Sequence, residues 1–208
     1  MVLTFYTNPM SRGRIARWML EEVGVPYDTV LLDYAPDAAQ SVKGADFLAI
    51  NPMGKVPAIV HDARVVTEGA AICAYLAEAF PNAGLAPTAD ERADYYRWLF
   101  FAAGPVEQAI TNKSMGFAPS EDQGRMAGYG NYDLAVDVLE AAVSRHDYIA
   151  GNRFTAADVY VGSQVGWGLA FGSMPTRDAF TAYWGRLESR DAYKRATEID
   201  DALMPREG

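Results

Sequence analysis

The feature that most constrains this fold is a change of pattern near residue 81 of the 208. Before it, short β-prone runs alternate with segments of helical periodicity, whereas every periodic segment after it is helical. The first β-prone run, 2–6, ends in a Thr-Asn-Pro turn, and a helical segment follows from Ser11 to Gly24. A second strand at 28–32 completes a β-α-β unit, which implies that the two strands are parallel.

A hairpin and a helix follow in this first part of the chain. The runs 56–60 and 64–67 are both β-prone, and the three residues between them predict a hairpin. Pro57 lacks an N–H group, so it must lie at a strand start or at a sheet edge. Glu68 then opens a helix with one apolar stripe. The stripe consists of Ile72, Tyr75, Leu76 and Phe80.

The turn-forming segment 81–87 is the predicted linker between a first domain, 1–80, and an all-helical domain, 88–208. Three helix starts in the second domain have the spacing of a capping box, in which side chains satisfy unpaired N–H groups. They are Thr88 with Glu91, Ser120 with Gln123, and Thr155 with Asp158. Gly104-Pro105 should kink the helix that begins near Thr88.

The longest uncharged stretch, Val159 to Thr176, is just long enough to cross a membrane. It contains four glycines, two serines, a glutamine and a proline, which is a poor composition for a membrane span. We therefore expect a buried core helix here and no membrane association. The first twenty residues lack the apolar run of a signal peptide, so we expect a cytoplasmic protein.

Composition excludes several other classes of function. The 18 Lys and Arg against 27 Asp and Glu give a net charge of −9, which repels nucleic acid. A single cysteine, Cys73, rules out an internal disulfide framework and a Cys-rich metal site. The two histidines, His61 and His146, are 85 positions apart and lack clustered carboxylates, so no metal site is predicted.

Candidate chemistry is concentrated at three junctions between turns and regular elements. These are Pro9-Met10-Ser11-Arg12, Asn51-Pro52-Met53-Gly54-Lys55-Val56-Pro57 and Thr67-Glu68-Gly69. The helix after Glu68 offers free N–H groups and a positive dipole end to an anion such as a carboxylate. Taken singly, each junction also has an ordinary structural reading as a turn or a helix cap.

Taken together, the junctions resemble the soluble glutathione transferases, and the late Phe154-Thr155-Ala156-Ala157-Asp158-Val159 segment strengthens the likeness. The resemblance is to bacterial-like members, covers essentially the whole chain and leaves the class unassigned. It implies an α/β plus all-α fold: an N-terminal thioredoxin-like β-α-β-α-β-β-α domain followed by an all-helical C-terminal domain. It also implies glutathione as co-substrate and no metal.

The resemblance implies a role for each matching position. The Val56–Pro57 bond should be cis and should turn the backbone groups of Val56 toward the cysteinyl part of glutathione. Glu68 and the N–H of Gly69 should hold the γ-glutamyl end. Lys55 and Lys43 should meet the glycyl carboxylate. Gly69 departs from the family pattern of Ser or Thr, so glutathione binding should be modest.

The group that activates the thiol differs among classes of the family, and two residues qualify here by position. Ser11 is the preferred candidate, with Arg12 as a cation beside it, and Tyr6 is the alternative. Ser11 can equally be a helix N-cap, and the ring of Tyr6 can simply pack in the core. The absence of cysteine at this point disfavours the reductase branch.

The resemblance implies a transferase that conjugates the glutathione thiolate to a small apolar electrophile, as in detoxification. Met10, Pro105 and Trp167 are the candidate residues of the electrophile pocket. Two alternatives stay open: a glutathione-dependent isomerase or dehalogenase, and a non-catalytic binding or assembly module. A homodimer is expected, because an acid of the partner subunit often completes the γ-glutamyl site in this family.

Overall fold

The computed structural model describes residues 2–204. Residue 1 of the first predicted domain and residues 205–208 of the second lie outside the described residues. The first part of the chain forms a four-stranded sheet with the order β2-β1-β3-β4. The strands are β1 (Leu3–Thr7), β2 (Asp28–Leu31), β3 (Ala58–His61) and β4 (Arg64–Thr67). β2 runs parallel to β1, and the β1–β3 and β3–β4 pairs are antiparallel. This is the predicted thioredoxin-like arrangement.

Two helices connect strands, α1 (Gly13–Val23) between β1 and β2 and α2 (Ala45–Ile50) between β2 and β3, and α3 (Gly69–Ala79) follows β4. Burial alternates along β1, where Leu3, Phe5 and Thr7 are buried and the residues between them are half-buried. The half-buried Tyr6 packs with the cluster on the α2 side. Because α1 ends where Gly24 takes a positive φ of 70°, the predicted glycine stop is confirmed.

The predicted hairpin is present, with a shorter loop than the three residues expected. His61 pairs with Arg64, so only Asp62 and Ala63 remain in the turn. Both have positive φ values, 45° and 66°, as a two-residue turn matching the strand twist requires. The Asp62 carboxylate accepts the Val2 N–H at 2.9 Å, which attaches the chain start to this turn.

In the second part of the chain, every regular element of the described residues is a helix. Its helices are α4 (Arg92–Phe101), α5 (Glu107–Ser114), α6 (Glu121–Met126), α7 (Tyr132–Val143), α8 (Ala156–Ala170) and α9 (Asp178–Glu188), and the chain closes with α10 (Asp191–Ala202). Reciprocal capping bonds are present at all three predicted starts. At the first, α4 begins one residue after Glu91.

The Gly104-Pro105 segment is wound as a π-helix over Ala102–Val106, between α4 and α5. Pro105 has no N–H to donate, and the wider winding accommodates the missing bond without ending the helix. Where the sequence predicted a kink, the structure has a π-helical insertion.

The uncharged stretch forms most of α8 and is almost entirely buried through Gly166, as predicted for a core helix. Gly166 and Gly168 allow close neighbours, since a Cβ at either would overlap Trp184 or Met174. No helix within residues 2–204 is long and apolar enough to cross a membrane.

Contacts divide the chain into two compact units. The second unit is Leu85–Ser189, and the first comprises the chain up to Gly84 together with the segment from Arg190 onward. The change at 84/85 falls within the predicted linker 81–87. At the C-terminal end the grouping differs from the predicted domain 88–208, because α10 packs on α1 of the sheet unit.

Candidate functional site

Strand register brings the three junctions to one end of the sheet. Tyr6 pairs with Ala58, and Ala58 pairs in turn with Thr67 on its other side. The end of β1, the start of β3 and the end of β4 therefore lie side by side. The loop after Thr7, the Val56–Pro57 bond and the start of α3 all continue from this edge.

Hydrogen bonds hold the loop that carries Ser11 in a compact turn. The Asn8 side chain donates to the Leu32 carbonyl at 2.8 Å and accepts the Met10 N–H at 2.9 Å. The half-buried Ser11 hydroxyl donates to the Asn8 carbonyl at 2.6 Å and accepts the Gly13 N–H at 2.9 Å. Ser11 is therefore not the N-cap of α1, because that position is held by Arg12 without a side-chain capping bond. The Ser11 hydroxyl instead closes the turn one residue before the N-cap.

Gly13 lets α1 begin directly against the strand. A Cβ at this position would overlap the Thr7 hydroxyl and would also lie 2.9 Å from Ser11 Oγ. The positive end of the α1 dipole is therefore close to the Ser11 side chain. Arg12, at the N-cap of α1, is exposed.

The loop before β3 is organised around the buried Asn51. Its side-chain amide donates to the Lys55 carbonyl at 2.7 Å, and its oxygen accepts the Met53 N–H at 3.1 Å. The Val56–Pro57 bond is cis, as expected. No residue in the described part of the chain hydrogen-bonds to the backbone N–H or C=O of Val56. These two groups can take up an extended ligand backbone.

Glu68 precedes α3 in an uncommon backbone conformation, with φ 66° and ψ 119°. Its side chain is exposed and makes no capping hydrogen bond to α3. Such strain in a residue with a Cβ is often found at ligand sites. The first N–H groups of α3, beginning with that of Gly69, face the same end of the sheet and favour an anion.

Two lysines border the loop before β3, and both are exposed. Lys55 belongs to the loop, and Lys43 lies close to it, since its Nζ would be 3.0 Å from a Cβ at Gly54. Gly54 itself has a φ of 59° and little room, with the Val42 carbonyl 2.8 Å from that position. Lys43 and the exposed Lys55 therefore both contribute positive charge near this loop.

Tyr6 differs from Ser11 in its surroundings. Its ring packs against Phe47 with the centroids 5.7 Å apart, on the side of the sheet covered by α2. Together with Val30 and Ile50, it lines a cavity of about 410 Å³ beside α2. The Tyr6 ring therefore packs against a neighbouring side chain, as the structural interpretation of this residue predicted.

The candidate pocket residues are divided between the two units, with Met10 in the first unit and Pro105 and Trp167 in the second. Met10 is 58% exposed in the loop before α1. Pro105 is half-buried in the π-helical segment, and Trp167 is half-buried near the end of α8. The second unit also contains a polar contact that the sequence did not reveal. The hydroxyl of Tyr160, one α8 turn before Gln164, donates a hydrogen bond to the Glu107 carboxylate at 2.9 Å.

The remaining titratable residues considered in the sequence, two histidines and one cysteine, have the surroundings of structural or surface residues. His61 is buried and bonded to the Tyr75 hydroxyl at 2.9 Å, whereas His146 is exposed. Burial raises the pKa of the Cys73 thiol far above its usual range, so this cysteine is inert at neutral pH. Within residues 2–204, no group of three His, Cys, Asp or Glu side chains is arranged to hold a metal ion.

The family model described as "Glutathione S-transferase, N-terminal domain" matches residues 10–79. Glutathione S-transferase 3 of Zea mays is 30% identical in a gapped alignment of 210 positions, which covers 93% of this chain and 92% of the relative. Glutathione S-transferase F10 of Arabidopsis thaliana is 28% identical in a gapped alignment of 215 positions, which covers 95% of this chain and 97% of the relative.

Solved structures agree with these relatives. A glutathione transferase from Methylococcus capsulatus has a TM-score of 0.78 at 26% identity, covering 98% of this chain and 100% of its own. A sphingomonad glutathione S-transferase solved in complex with glutathione has a TM-score of 0.76 at 28% identity, covering 95% of this chain and 98% of its own.

Proposed function

Because this chain belongs to the glutathione S-transferase family and is a glutathione transferase, we propose that it adds the glutathione thiolate to an electrophilic carbon of a small apolar molecule. The observation that carries the proposal is the meeting of three junctions at one sheet end. There, the free backbone groups of Val56 lie beside the strand that leads to Ser11.

Glutathione has two charged ends, and the site offers partners for each. The N–H and C=O of Val56 pair with the cysteinyl backbone as a one-residue strand addition. Glu68 and the Gly69 N–H hold the γ-glutamyl end, where the α3 dipole favours its carboxylate. Lys55 and Lys43 attract the glycyl carboxylate at the other end. The exposure of both lysines and of Glu68 supports these roles.

Ser11 activates the thiol in this proposal. A free thiol has a pKa near 8.5, so only about 3% of it is thiolate at pH 7. A hydrogen bond donated to the sulfur anion contributes about 1.5–3 kcal/mol, which lowers that pKa by roughly one to two units. The α1 dipole and Arg12 stabilise the same negative charge.

The hydroxyl proton of Ser11 must turn from the Asn8 carbonyl to the sulfur when glutathione binds. Giving up that bond costs about 1 kcal/mol, less than the bond to a sulfur anion contributes. The Thr7 hydroxyl, 3.5 Å from the Asn8 carbonyl, remains beside the oxygen that Ser11 leaves. Tyr6 is the alternative donor, and its packing against Phe47 argues against it.

The chemical step forms a carbon–sulfur bond with the electron pair of the thiolate. The thiol proton is released on binding, and in a substitution the electrophile's leaving group departs with its bonding electrons. Met10, Pro105 and Trp167 provide apolar surface for the electrophile. The half-buried position of Pro105 and Trp167 leaves part of each accessible to such a ligand.

The proposal includes a homodimer in the cytoplasm. Exposed apolar side chains are present on the first unit, where Met53 is 68% exposed and Val65 is 47% exposed. Phe100 on the second unit is 67% exposed. In this proposal a second copy covers such exposed side chains, and its acid completes the γ-glutamyl site.

Retention on immobilised glutathione, followed by a conjugation assay with an activated aryl halide, tests the proposed function. We expect retention, release by free glutathione, and formation of the thioether, with Ser11→Ala binding glutathione but conjugating slowly. Retention without turnover of any electrophile would identify a binding module. Product formation without a glutathione conjugate would identify an isomerase or a dehalogenase.

A further inference from the structure

Four ion pairs, called the ladder below, join helices α1 and α10. Successive pairs advance toward the C-terminus of α1 and toward the N-terminus of α10. The pairs are Arg14–Asp201 at 2.6 Å, Arg17–Asp200 at 3.1 Å, Glu21–Arg195 at 3.3 Å and Glu22–Arg190 at 2.6 Å. Within these pairs, each helix contributes arginines from its first half or N-cap and carboxylates from its second half. The ladder therefore specifies an antiparallel register for the two helices.

The signs in the ladder oppose what each helix favours on its own. Arg14 is at the positive N-terminal end of α1, and Asp201 is at the negative C-terminal end of α10. Neither charge stabilises its own helix there. The pairing between the two helices therefore accounts for the presence of these two charges at these helix ends. The buried Arg17–Asp200 pair fixes this register most strongly, because a shift would leave both charges buried and unpaired.

Arg14 connects the ladder to the loop that carries Ser11. Its Nε donates to the Pro9 carbonyl at 2.6 Å, and its Nη2 donates to Asp201 Oδ1, also at 2.6 Å. The guanidinium is planar and rigid, so fixing one edge on Asp201 fixes the edge that holds Pro9. The remaining bonds of this loop, made by Asn8 and Ser11, stay within the loop and its neighbouring elements.

We propose that Asp201, acting through Arg14, is a positioning residue that sets the loop holding the Ser11 hydroxyl against the glutathione sulfur. The inference rests on the proposed function of Ser11. It assigns to α10 a part in thiol activation, although α10 is more than 170 residues away from this loop in the sequence. Asp201 is 59% exposed and its pair with Arg14 is partly solvated, so it contributes little to stability.

The chain provides a matched control in the Glu21–Arg195 pair, at the opposite end of α1. Arg195 is also about half exposed and also bridges α1 and α10, but it has no contact with the Ser11 loop. Asp201→Asn and Arg195→Gln should therefore have similar effects on stability. Only the first should change thiol activation.

The test measures the thiol pKa of bound glutathione and the steady-state constants of four variants. They are Asp201→Asn, Arg195→Gln, Ser11→Ala and the Ser11→Ala/Asp201→Asn double variant. For Asp201→Asn we expect kcat to fall about fivefold, with a raised pKa of the bound thiol and a change in KM for glutathione below about twofold. Arg195→Gln should match the wild type. In the Ser11→Ala background, Asp201→Asn should have no further effect.

Two results would overturn the inference while leaving the proposed function intact. One is a raised thiol pKa in Ser11→Ala with an unchanged pKa in Asp201→Asn. The other is an equal loss of activity in Arg195→Gln, which would mean a general loosening of α10. An unchanged thiol pKa in Ser11→Ala itself would instead contradict the proposed role of Ser11.

Discussion

At the scale of single residues, Gly69 is the position where the resemblance implies a departure from the family pattern of Ser or Thr. The missing hydroxyl predicts modest glutathione binding, and the structure places Gly69 as the first residue of α3. Gly69→Ser should tighten glutathione binding about tenfold, because the added hydroxyl donates to the γ-glutamyl carboxylate. Calorimetric titration measures this change.

Ala71→Ser is the control for Gly69→Ser, since it adds the same hydroxyl to an exposed position two residues further along α3. It should leave the affinity unchanged. If neither serine improves binding and Glu68→Ala is harmless as well, the γ-glutamyl end binds elsewhere.

At Gly54, both the positive φ and the lack of room for a Cβ disfavour any other residue. Gly24 and Gly54 both have positive φ, but a Cβ at Gly24 meets nothing, whereas one at Gly54 meets the Val42 carbonyl. Gly24→Ala should lower the unfolding free energy by about 1 kcal/mol and Gly54→Ala by about 3 kcal/mol. Denaturant unfolding measures both. Equal losses would show that conformation alone matters at Gly54.

At the scale of elements, α8 begins at a buried carboxylate. Asp158 accepts hydrogen bonds from the Ile149 and Thr155 N–H groups and from the Tyr183 and Thr155 hydroxyls, at 2.8–3.1 Å. Burial nevertheless raises its pKa to about 6, with the hydrogen bonds opposing the shift. Asp158→Asn should lower the unfolding free energy at pH 7 by about 3 kcal/mol, because the amide nitrogen cannot accept the bonds it replaces.

The pH dependence of this difference has a definite sign. A carboxyl whose pKa is raised by folding binds a proton more readily in the folded state, so its contribution to stability is present at low pH and lost as the pH rises through about 6. The stability of the wild type relative to Asp158→Asn should therefore increase as the pH falls from 7 to 4. A difference that shrinks over this range would contradict the assignment.

Local sequence signals predicted many of these elements and missed those that depend on distant contacts. The Thr155–Asp158 spacing predicted the start of α8, and the glycine-rich composition predicted its burial. The π-helical winding at Pro105 was not predictable, because a proline in a helix is accommodated in several ways. For α2, the family resemblance supplied the expectation, since six residues carry too short a periodic pattern.

At the scale of the whole molecule, the placement of α10 was beyond local analysis. Its partners on α1 are about 170–190 residues away, and helical periodicity in α10 does not tell which helix it contacts. The junctions, in contrast, were predictable as a set. Their meeting at one sheet end follows from register, which fixes the neighbours of Ala58 on both sides.

The assembly state can be measured directly. Sedimentation at micromolar concentration should give twice the chain mass of 22.7 kDa, because the exposed apolar residues of both units are suited to burial and the γ-glutamyl site is proposed to need a second copy. Met53→Glu should weaken the dimer by adding a charge to that surface. A monomer that binds glutathione tightly would contradict the shared site.

The central claim, that Ser11 activates the thiol, is tested by the thiolate absorbance of bound glutathione as a function of pH. Ser11→Ala should raise the thiol pKa by roughly one to two units, which is the contribution of one hydrogen bond to the sulfur anion. Tyr6→Phe should leave the pKa unchanged, because the Tyr6 ring packs against Phe47. A low thiol pKa kept in Ser11→Ala and lost in Tyr6→Phe would show that Ser11 only holds the turn before α1.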